Sequence, residues 1–174
     1  MKDLELKLIS ELMKDSRRSD RELAKVLGVS QPTVTRLRTK LNNTGAIKEY
    51  TIIPDFTKLG YQIAAITAFR IQEIPSEERE KHKKKIIQTE EANPHANLIA
   101  VNGVGFGKDV LFMTFYKDYS AYSKANEQLR NIPHAKVDEI QSFIVDLNDK
   151  RNYRILSMNA IAKHLQTLKE EKTA

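Results

Sequence analysis

The chain has 174 residues, 40% of them hydrophobic, and a formal net charge of +6 at pH 7. It contains no Cys, which excludes disulfides, and no apolar run approaches the roughly 18 residues that a membrane span needs. No charged-then-apolar leader is visible at the N-terminus, so we expect a soluble, cytoplasmic protein. The length suffices for two small hydrophobic cores, and the positive charge suits an acidic partner such as nucleic acid.

Two amphipathic helices are predicted before residue 28. In the first, over about residues 3–14, Leu and Ile recur at helical spacing until a polar run begins at Asp15. The second helix is predicted to begin near Ser19 or Asp20. Its predicted apolar face consists of Leu23, Val26 and Leu27.

A third helix is predicted between Ser30 and Gly45, and both of its ends are marked. Ser30 is a good N-cap, Pro32 fits the first turn, where a missing N–H costs nothing, and Gly45 is a C-terminal stop. At about 100° per residue, the core stripe consists of Val34, Leu37 and Leu41. The opposite face consists of Pro32, Thr35, Arg36, Thr39 and Asn43. That face carries no carboxylate, only groups suited to phosphate oxygens and base edges.

The spacing of small and apolar residues predicts that the second and third helices form a helix-turn-helix. Gly28 lies four residues after Ala24, Val34 lies ten residues after it, and Leu37 thirteen. Helices that cross at about 90–120° need a small residue at the crossing and a residue that tolerates positive φ in the turn. An ordinary helical hairpin is the alternative, but all four positions carry suitable residues. Residues 47–53 then alternate with period two until a proline, which predicts a short strand that serves as a wing.

Residues 61–147 predict a second domain with the element order β-α-β-β-α-β, the ferredoxin-like arrangement. The predicted strands cover about residues 63–71, 96–102, 110–116 and 137–147, and the predicted helices run from Ser76 to Asn93 and over about 119–131. A glycine-rich loop, residues 103–109, joins the two middle strands. The first strand is apolar on both faces, so we expect helices to cover one face of the sheet and a partner subunit the other.

Beyond Leu147 the apolar residues recur at helical spacing from about residue 155 to 168, which predicts an additional C-terminal helix. Its apolar stripe needs cover, either from the chain's own sheet or from a partner subunit. We therefore predict an α+β chain of four parts. These are a winged helix-turn-helix over residues 1–53, a linker over 54–60, a ferredoxin-like dimerisation and effector domain over 61–147, and a helical extension over 148–174.

The element order and one stretch of sequence resemble the Lrp/AsnC, or feast/famine, family of bacterial and archaeal transcription regulators. The resemblance covers about residues 1–147 and is carried mainly by the string SDRELAKVLGVSQPTVTRLRTKLNNTGAIKEYTIIPD, followed by FTKLG. It implies a sequence-specific DNA-binding transcription regulator that forms a homodimer, or a tetramer or octamer, through its C-terminal domain. It also implies modulation by a small-molecule effector such as an amino acid.

The predicted partner is double-stranded DNA with a pseudo-palindromic site, because a dimer presents two equivalent helices. Arg36, flanked by Thr35 and Thr39, is predicted to read bases, and Lys40 to contact phosphate. The full set of predicted DNA-binding residues is Gln31, Pro32, Thr33, Thr35, Arg36, Arg38, Thr39, Lys40, Arg17, Arg18, Arg21 and Lys48.

The loop that joins the middle strands is the predicted effector site. Its residues Gly103, Gly105, Gly107 and Asp109 leave backbone N–H groups accessible to a carboxylate or phosphate, although a plain hairpin fits the same residues. No metal or cofactor is expected, because the four His residues are scattered without ligand spacing, and no catalytic constellation stands out. Two other functions stay open: a tetrapyrrole (siroheme-type) decarboxylase that would use His95, and a chromatin-like protein that coats DNA with little specificity.

Overall fold

The computed structural model describes residues 2–71, 96–131, 137–151 and 156–167, together with the single positions 77, 80, 81, 84 and 88. The chain divides into two compact units, and the first is built from both ends of the sequence. It comprises residues 1–53 and 154–174, whereas the second unit comprises residues 54–153. In the described part of the chain, no helix has the length and apolar character to cross a membrane.

Three helices begin the first unit: α1 (Asp3–Lys14), α2 (Asp20–Leu27) and α3 (Gln31–Asn43). Their bounds agree closely with those predicted from the sequence. The hydroxyl of Ser19 caps α2 by accepting from the Glu22 N–H, and the Glu22 carboxylate accepts from the Ser19 N–H in return. Ser30 caps α3 by accepting from the Thr33 N–H. These caps satisfy backbone donors that would otherwise be unpaired at the helix starts.

The core of the three helices consists of Leu8, Leu12, Leu23, Ala24, Val34 and Leu41. Val26, predicted on the apolar face of α2, is instead 58% exposed. The buried arc of α2 is centred between Leu23, Ala24 and Leu27, and Val26 lies about 100° away from that centre on the helical wheel. The prediction for Val26 is therefore wrong, whereas Leu23 is fully buried as expected.

Gly28 makes the tight turn between α2 and α3. Its φ is +67°, and its N–H donates to the carbonyl of Ala24 at the end of α2. A residue with a Cβ is strained in this left-handed region, so the predicted need for glycine in the turn agrees with the backbone.

The predicted wing strand is wrong, because residues 46–55 form no strand. Their contacts run instead to the end of α3. The Ile47 N–H donates to the Leu41 carbonyl over 3.2 Å, and the Tyr50 hydroxyl donates to Asn42 Oδ1 over 3.2 Å. Ile47 packs on the helical core, whereas Ile52 is 76% exposed, so the period-two pattern marks no buried face here. A strand also needs a neighbouring strand with which to pair.

The second unit contains a four-stranded antiparallel sheet with the order β2-β3-β1-β4. The strands are β1 (Ile63–Ile71), β2 (Asn97–Gly105), β3 (Lys108–Tyr116) and β4 (Val137–Asp146), and α4 (Tyr119–Arg130) lies between β3 and β4 in the chain. This order confirms the ferredoxin-like prediction. Of the helix predicted from Ser76 to Asn93, positions 80, 81, 84 and 88 are helical, and the remainder lies outside the described residues.

The segment predicted as a linker, residues 54–60, is packed onto the sheet. The ring of Phe56 stacks on Phe115 of β3 with 3.8 Å between the centroids, and Tyr61 meets both rings edge-on. Phe56 and Tyr61 thereby pack against a small buried core that consists of Ala64, Phe115 and Leu147. The residues that follow Pro54 are thus part of the second unit.

The C-terminal helix, α5 (Asn159–Thr167), packs on α1 rather than on the sheet. Ala162 at its centre is fully buried, and the Ser10 hydroxyl of α1 donates to the Ala162 carbonyl over 2.7 Å. Of the predicted apolar stripe, Ala162 is covered by α1, which is neither of the two surfaces expected from the sequence, whereas Met158 and Ile161 stay 38% and 50% exposed. The helix completes the first unit.

Replacing Gly28 by Ala should lower the free energy of unfolding by about 1–2 kcal/mol, because Ala must adopt the left-handed conformation. The space around Gly28 holds no atom within 4 Å of an added Cβ, so the loss comes from the backbone alone. Urea unfolding followed by far-UV circular dichroism measures it. Gly103→Ala, in an exposed strand without positive φ, is the matched control and should cost nothing. Equal losses for the two variants would contradict this account.

Candidate nucleic-acid interface

One face of α3 is open to solvent along its whole length. Val34 and Leu41 anchor the opposite face and are at most 2% exposed. The residues of the open face include Gln31, Pro32, Thr35, Arg36, Thr39, Lys40 and Asn43, with Thr33 half-buried beside them. The face predicted from the helical wheel is therefore the face that the fold leaves uncovered.

Arg36 is the one cation of α3 without an internal partner among the residues that the structure describes. Lys40 and Arg38 on the same helix are both paired with carboxylates. An extended guanidinium with no intramolecular partner keeps all five N–H groups available. Arg36 can therefore donate to a ligand without first breaking a contact.

The Asp20 carboxylate, at the start of α2, lies against α3. Its Oδ2 accepts from the Thr35 hydroxyl over 2.6 Å, and its Oδ1 lies 3.0 Å from Arg38 Nε. The open face of α3 has no carboxylate of its own, and Asp20 was not among the residues predicted for the site. An acidic residue in the first turn of α2 is equally explained by favourable contact with the helix dipole, so the sequence carried no signal for a contact 15 residues away.

Arg38 occupies a different place from the one predicted. Its Nη2 donates to the Arg18 carbonyl over 3.0 Å, its Nε pairs with Asp20, and its guanidinium carbon lies 6.0 Å from the centre of the Tyr50 ring. The side chain is only 24% exposed. Arg38 thus links α3 to α2 and to the turn before it, so a DNA phosphate would have to displace these contacts. The predicted DNA contact of Arg38 stays a prediction.

Lys40 forms an ion pair with Glu5 of α1, with 2.6 Å between Nζ and Oε1. The Lys40 side chain is 55% exposed and the Glu5 side chain only 5%. The hydrogen bond from Lys40, followed by that from the Lys2 backbone, holds the pKa of the Glu5 carboxyl below its ordinary value. Lys40 can still turn its ammonium outward, but a phosphate must compete with Glu5 for it.

The other predicted phosphate contacts lie around the start of α2 and in the segment after α3. Arg21 and Lys48 are exposed and have no partner within the described residues. Arg17 is 88% exposed and lies 3.7 Å from Asp15, whereas Arg18 is paired with the nearly buried Glu11. Arg17, Arg21 and Lys48 are therefore available to an anionic ligand, and Arg18 is held by the fold.

The predicted effector loop is wrong in its extent. Gly103 and Gly105 belong to β2, and Lys108 and Asp109 belong to β3, so the turn contains only Phe106 and Gly107, with φ of 52° and 70°. Positive φ at both positions matches the right-handed twist of a hairpin. The Asp109 carboxylate accepts a hydrogen bond from the Ile71 N–H over 3.0 Å and so links β3 to the end of β1. The four predicted residues do not form one loop.

No metal-binding cluster is present in the described part of the chain. It contains no group of three or more His, Asp or Glu side chains that could hold a metal ion. His164 is exposed on α5, whereas His82, His95 and His134 lie outside the described residues. The alternative that required His95 therefore gains no support from the described geometry.

Three helices around one apolar core, with a glycine turn and an open cationic face on the third helix, place the first unit in the helix-turn-helix class. A model of the AsnC-type helix-turn-helix domain matches residues 1–41, and solved structures of Lrp/AsnC regulators share the fold of both units. The chain thus carries an AsnC-type helix-turn-helix domain and is similar in fold to Lrp/AsnC regulators.

Sequence relatives match part of the chain. A helix-turn-helix regulator of Pyrococcus furiosus is 40% identical over 70 residues, which are 40% of this chain and 47% of the relative. LrpC of Bacillus subtilis is 43% identical over 63 residues, 36% of this chain and 44% of LrpC. In these sequence matches the chain spans about half the length of the curated relatives.

The structural likeness extends over both units. The solved structure of LrpC superposes with a TM-score of 0.67 at 25% identity and covers 83% of this chain and 94% of LrpC. A regulator of Neisseria meningitidis, solved as a complex with L-Met, has a TM-score of 0.71 at 18% identity and covers 92% of this chain and 99% of that one. The second likeness concerns the fold alone.

Replacing Lys40 by Gln should raise the pKa of the Glu5 carboxyl toward its ordinary value of 4.5, because the hydrogen bond from Lys40 is the main cause that lowers it. Since the folded-state pKa lies below the unfolded value, the pair stabilises the fold above about pH 4.5, and that contribution is lost as pH falls through the folded pKa. NMR titration of the Glu5 carboxyl measures the shift. Lys25→Gln on exposed α2 is the control, and an unchanged Glu5 pKa in Lys40→Gln would refute the pairing.

Proposed function

We propose that this protein is a sequence-specific DNA-binding transcription regulator that works as a homodimer. The observation that carries the proposal is the unpaired Arg36 at the centre of the open face of α3, in a helix whose other cations are held by carboxylates. An open helix face of this kind fits the major groove of B-DNA.

Arg36 is assigned to base readout. A guanidinium in the major groove can donate two parallel hydrogen bonds to guanine O6 and N7, the most common specific contact. The hydroxyls of Thr35 and Thr39 already donate, to Asp20 and to the Thr35 carbonyl respectively. They can therefore only accept from DNA, and the acceptable donors in the major groove are the amino groups of adenine and cytosine.

Phosphate contacts are assigned to the groups around this face. At the start of α3, the Gln31 N–H and the helix dipole are suited to a phosphate, whereas Pro32 has no N–H and the Thr33 N–H donates to Ser30. The side chains of Gln31 and Thr33 can add polar contacts there. Arg17, Arg21 and Lys48 add exposed positive charge, and Lys40 joins them by leaving Glu5. Such contacts fix the position of the protein on the duplex without reading sequence.

Dimerisation is assigned to the sheet face that α4 leaves open. Tyr122 of α4 packs against Tyr116 on the other face, with 5.6 Å between the ring centres. On the open face, the strand register places Ile99, Met113, Ile66 and Phe143 in one row across all four strands. Phe143 is 70% exposed and Ile99 41%. A continuous apolar row of this kind on a small sheet suits burial against the same row of a second copy.

A dimer presents two α3 helices, so the preferred double-stranded site is a pseudo-palindrome with half-sites about 34 Å, or a multiple of that, apart. Assembly beyond the dimer, to a tetramer or octamer, and binding of an amino acid or similar effector are parts of the same proposal. The L-Met complex of the Neisseria protein supports the choice of an amino acid. A chromatin-like coater would bind all sequences with nearly equal affinity, and the tests below discriminate it.

Arg36→Ala should weaken binding to the preferred site by about 1–3 kcal/mol per half-site and relax the preference at one base pair. Lys40→Ala should weaken binding to every sequence and make the dependence on salt shallower by about one unit of slope. Titrations on cognate and scrambled DNA at several salt concentrations measure both effects. Lys117→Ala, an exposed cation of the second unit, is the control. Equal loss on both DNAs for Arg36→Ala would make Arg36 a phosphate contact and would support the coater.

Phe143→Asp should convert the dimer to a monomer, because it places two charges in the proposed interface while the side chain stays solvated in a single subunit. Sedimentation of the full chain at micromolar concentration measures the change. Val26→Asp, at an apolar side chain that is 58% exposed on α2, is the matched control and should leave the dimer intact. A Phe143→Asp variant that remains dimeric would remove the sheet face from the interface.

A further inference from the structure

The docking of the C-terminal helix on α1 has no part in the function proposed above. Ser10 and Ala162 are both fully buried at this contact, although they lie 152 residues apart in the sequence. The contact is made by a hydroxyl that donates to a helix carbonyl over 2.7 Å. A buried polar contact within an apolar surface fixes one arrangement of the two helices, because any slip leaves the hydroxyl unpaired.

A series of polar contacts leads from α5, through α1 and Arg18, to α3. Gln166 of α5 donates to Glu11 of α1 over 3.4 Å, and the same carboxylate holds the side chains of Lys14 and Arg18. The carbonyl of Arg18 then accepts from Arg38 of α3. The complete series is Gln166, Glu11, Arg18, Arg38, Asp20 and Thr35.

Glu11 is the central member of this series. Glu11 is only 6% exposed, and burial alone would raise the pKa of its carboxyl. The hydrogen bonds from Lys14 and Arg18 outweigh burial, so the pKa lies below its ordinary value. Glu11 is therefore charged at neutral pH and needs its cationic partners. A change in the position of α1 beside α5 moves the group that holds Arg18, and with it the carbonyl that anchors Arg38.

We propose that α5 is a positioning element of the DNA-binding unit: docked on α1, it fixes Glu11, and through Arg18, Arg38 and Asp20 it sets the position of Thr35 on α3. Release of α5 therefore weakens specific DNA binding without removing any group that touches DNA. This inference rests on the proposed DNA-binding function. The proposed DNA-binding unit therefore includes residues from both ends of the sequence. The chain passes from this unit to the second unit before β1 and returns to it after β4.

The test introduces a charge beneath α5. Ala162→Asp places a carboxylate at the fully buried contact and should release the helix, whereas Ile161→Asp places the same group at a neighbouring position that is 50% exposed. Because the chain has no Cys, spin labels on cysteines introduced at Lys7 and Lys163 report the α1–α5 distance without interference. We expect a longer, broader distance distribution for Ala162→Asp alone.

The same full-length variants are then titrated with cognate and scrambled DNA. Ala162→Asp should lose about 2- to 30-fold in affinity for cognate DNA and Ile161→Asp nothing, with circular dichroism confirming that each is folded. In a Glu11→Gln background the effect of Ala162→Asp should shrink, since the series of contacts is already broken. A released helix with unchanged cognate affinity would overturn the inference, and so would an undiminished loss in the Glu11→Gln background.

A second variant covers the case in which Ala162→Asp does not fold. Gln166→Glu changes an exposed side chain and places a negative charge beside Glu11, so it should lower cognate affinity in a folded protein. Unchanged cognate affinity in Gln166→Glu and Glu11→Gln together would overturn the inference. Failure of the wild-type protein to prefer cognate DNA would instead overturn the proposed function, so the two failures are distinguishable.

Discussion

One carboxylate, that of Asp20, holds the third helix in register with the second. Its two oxygens take the Thr35 hydroxyl and the Arg38 guanidinium, two groups one turn apart on α3. The apolar core beneath fixes the distance between the helices but is tolerant of small rotations, because hydrophobic contact is not directional. The two polar contacts restrict the rotation of α3 about its own axis, which helps to decide which of its side chains face outward.

The charges of the first unit divide into those that hold the fold and those that are available to a ligand. Arg18, Arg38 and Lys40 are paired with carboxylates from other helices, whereas Arg36 and Arg21 extend freely within the described residues. A paired cation costs free energy to recruit, because its carboxylate is left without a partner. The division therefore concentrates recognition on few groups, and it gives Arg36 its central place in the proposed function.

The second unit depends on an asymmetry between the two faces of its sheet. One face is covered by aromatic contacts with α4, and part of the other is covered by Phe56, which stacks on Phe115. In the row that crosses the four strands, Ile99, Ile66 and Phe143 remain exposed to solvent, and Met113 is half-buried. Exposed apolar surface is unfavourable in a monomer, which is the physical argument for pairing two copies through this face.

The sequence by itself determined the local elements of this protein. The caps Ser19 and Ser30, the turn at Gly28 and the helical spacing of Leu8, Leu23 and Val34 are short-range signals, and the three helices of the first unit follow from them. Only the tertiary structure decided which charges pair, because Asp20–Thr35, Glu5–Lys40 and Ser10–Ala162 join residues 15, 35 and 152 positions apart. It likewise decided that residues 46–55 form no wing strand and that α5 covers α1. The periodic spacing of apolar residues indicates that one face of an element must be buried. The surface that buries this face depends on packing between distant parts of the chain.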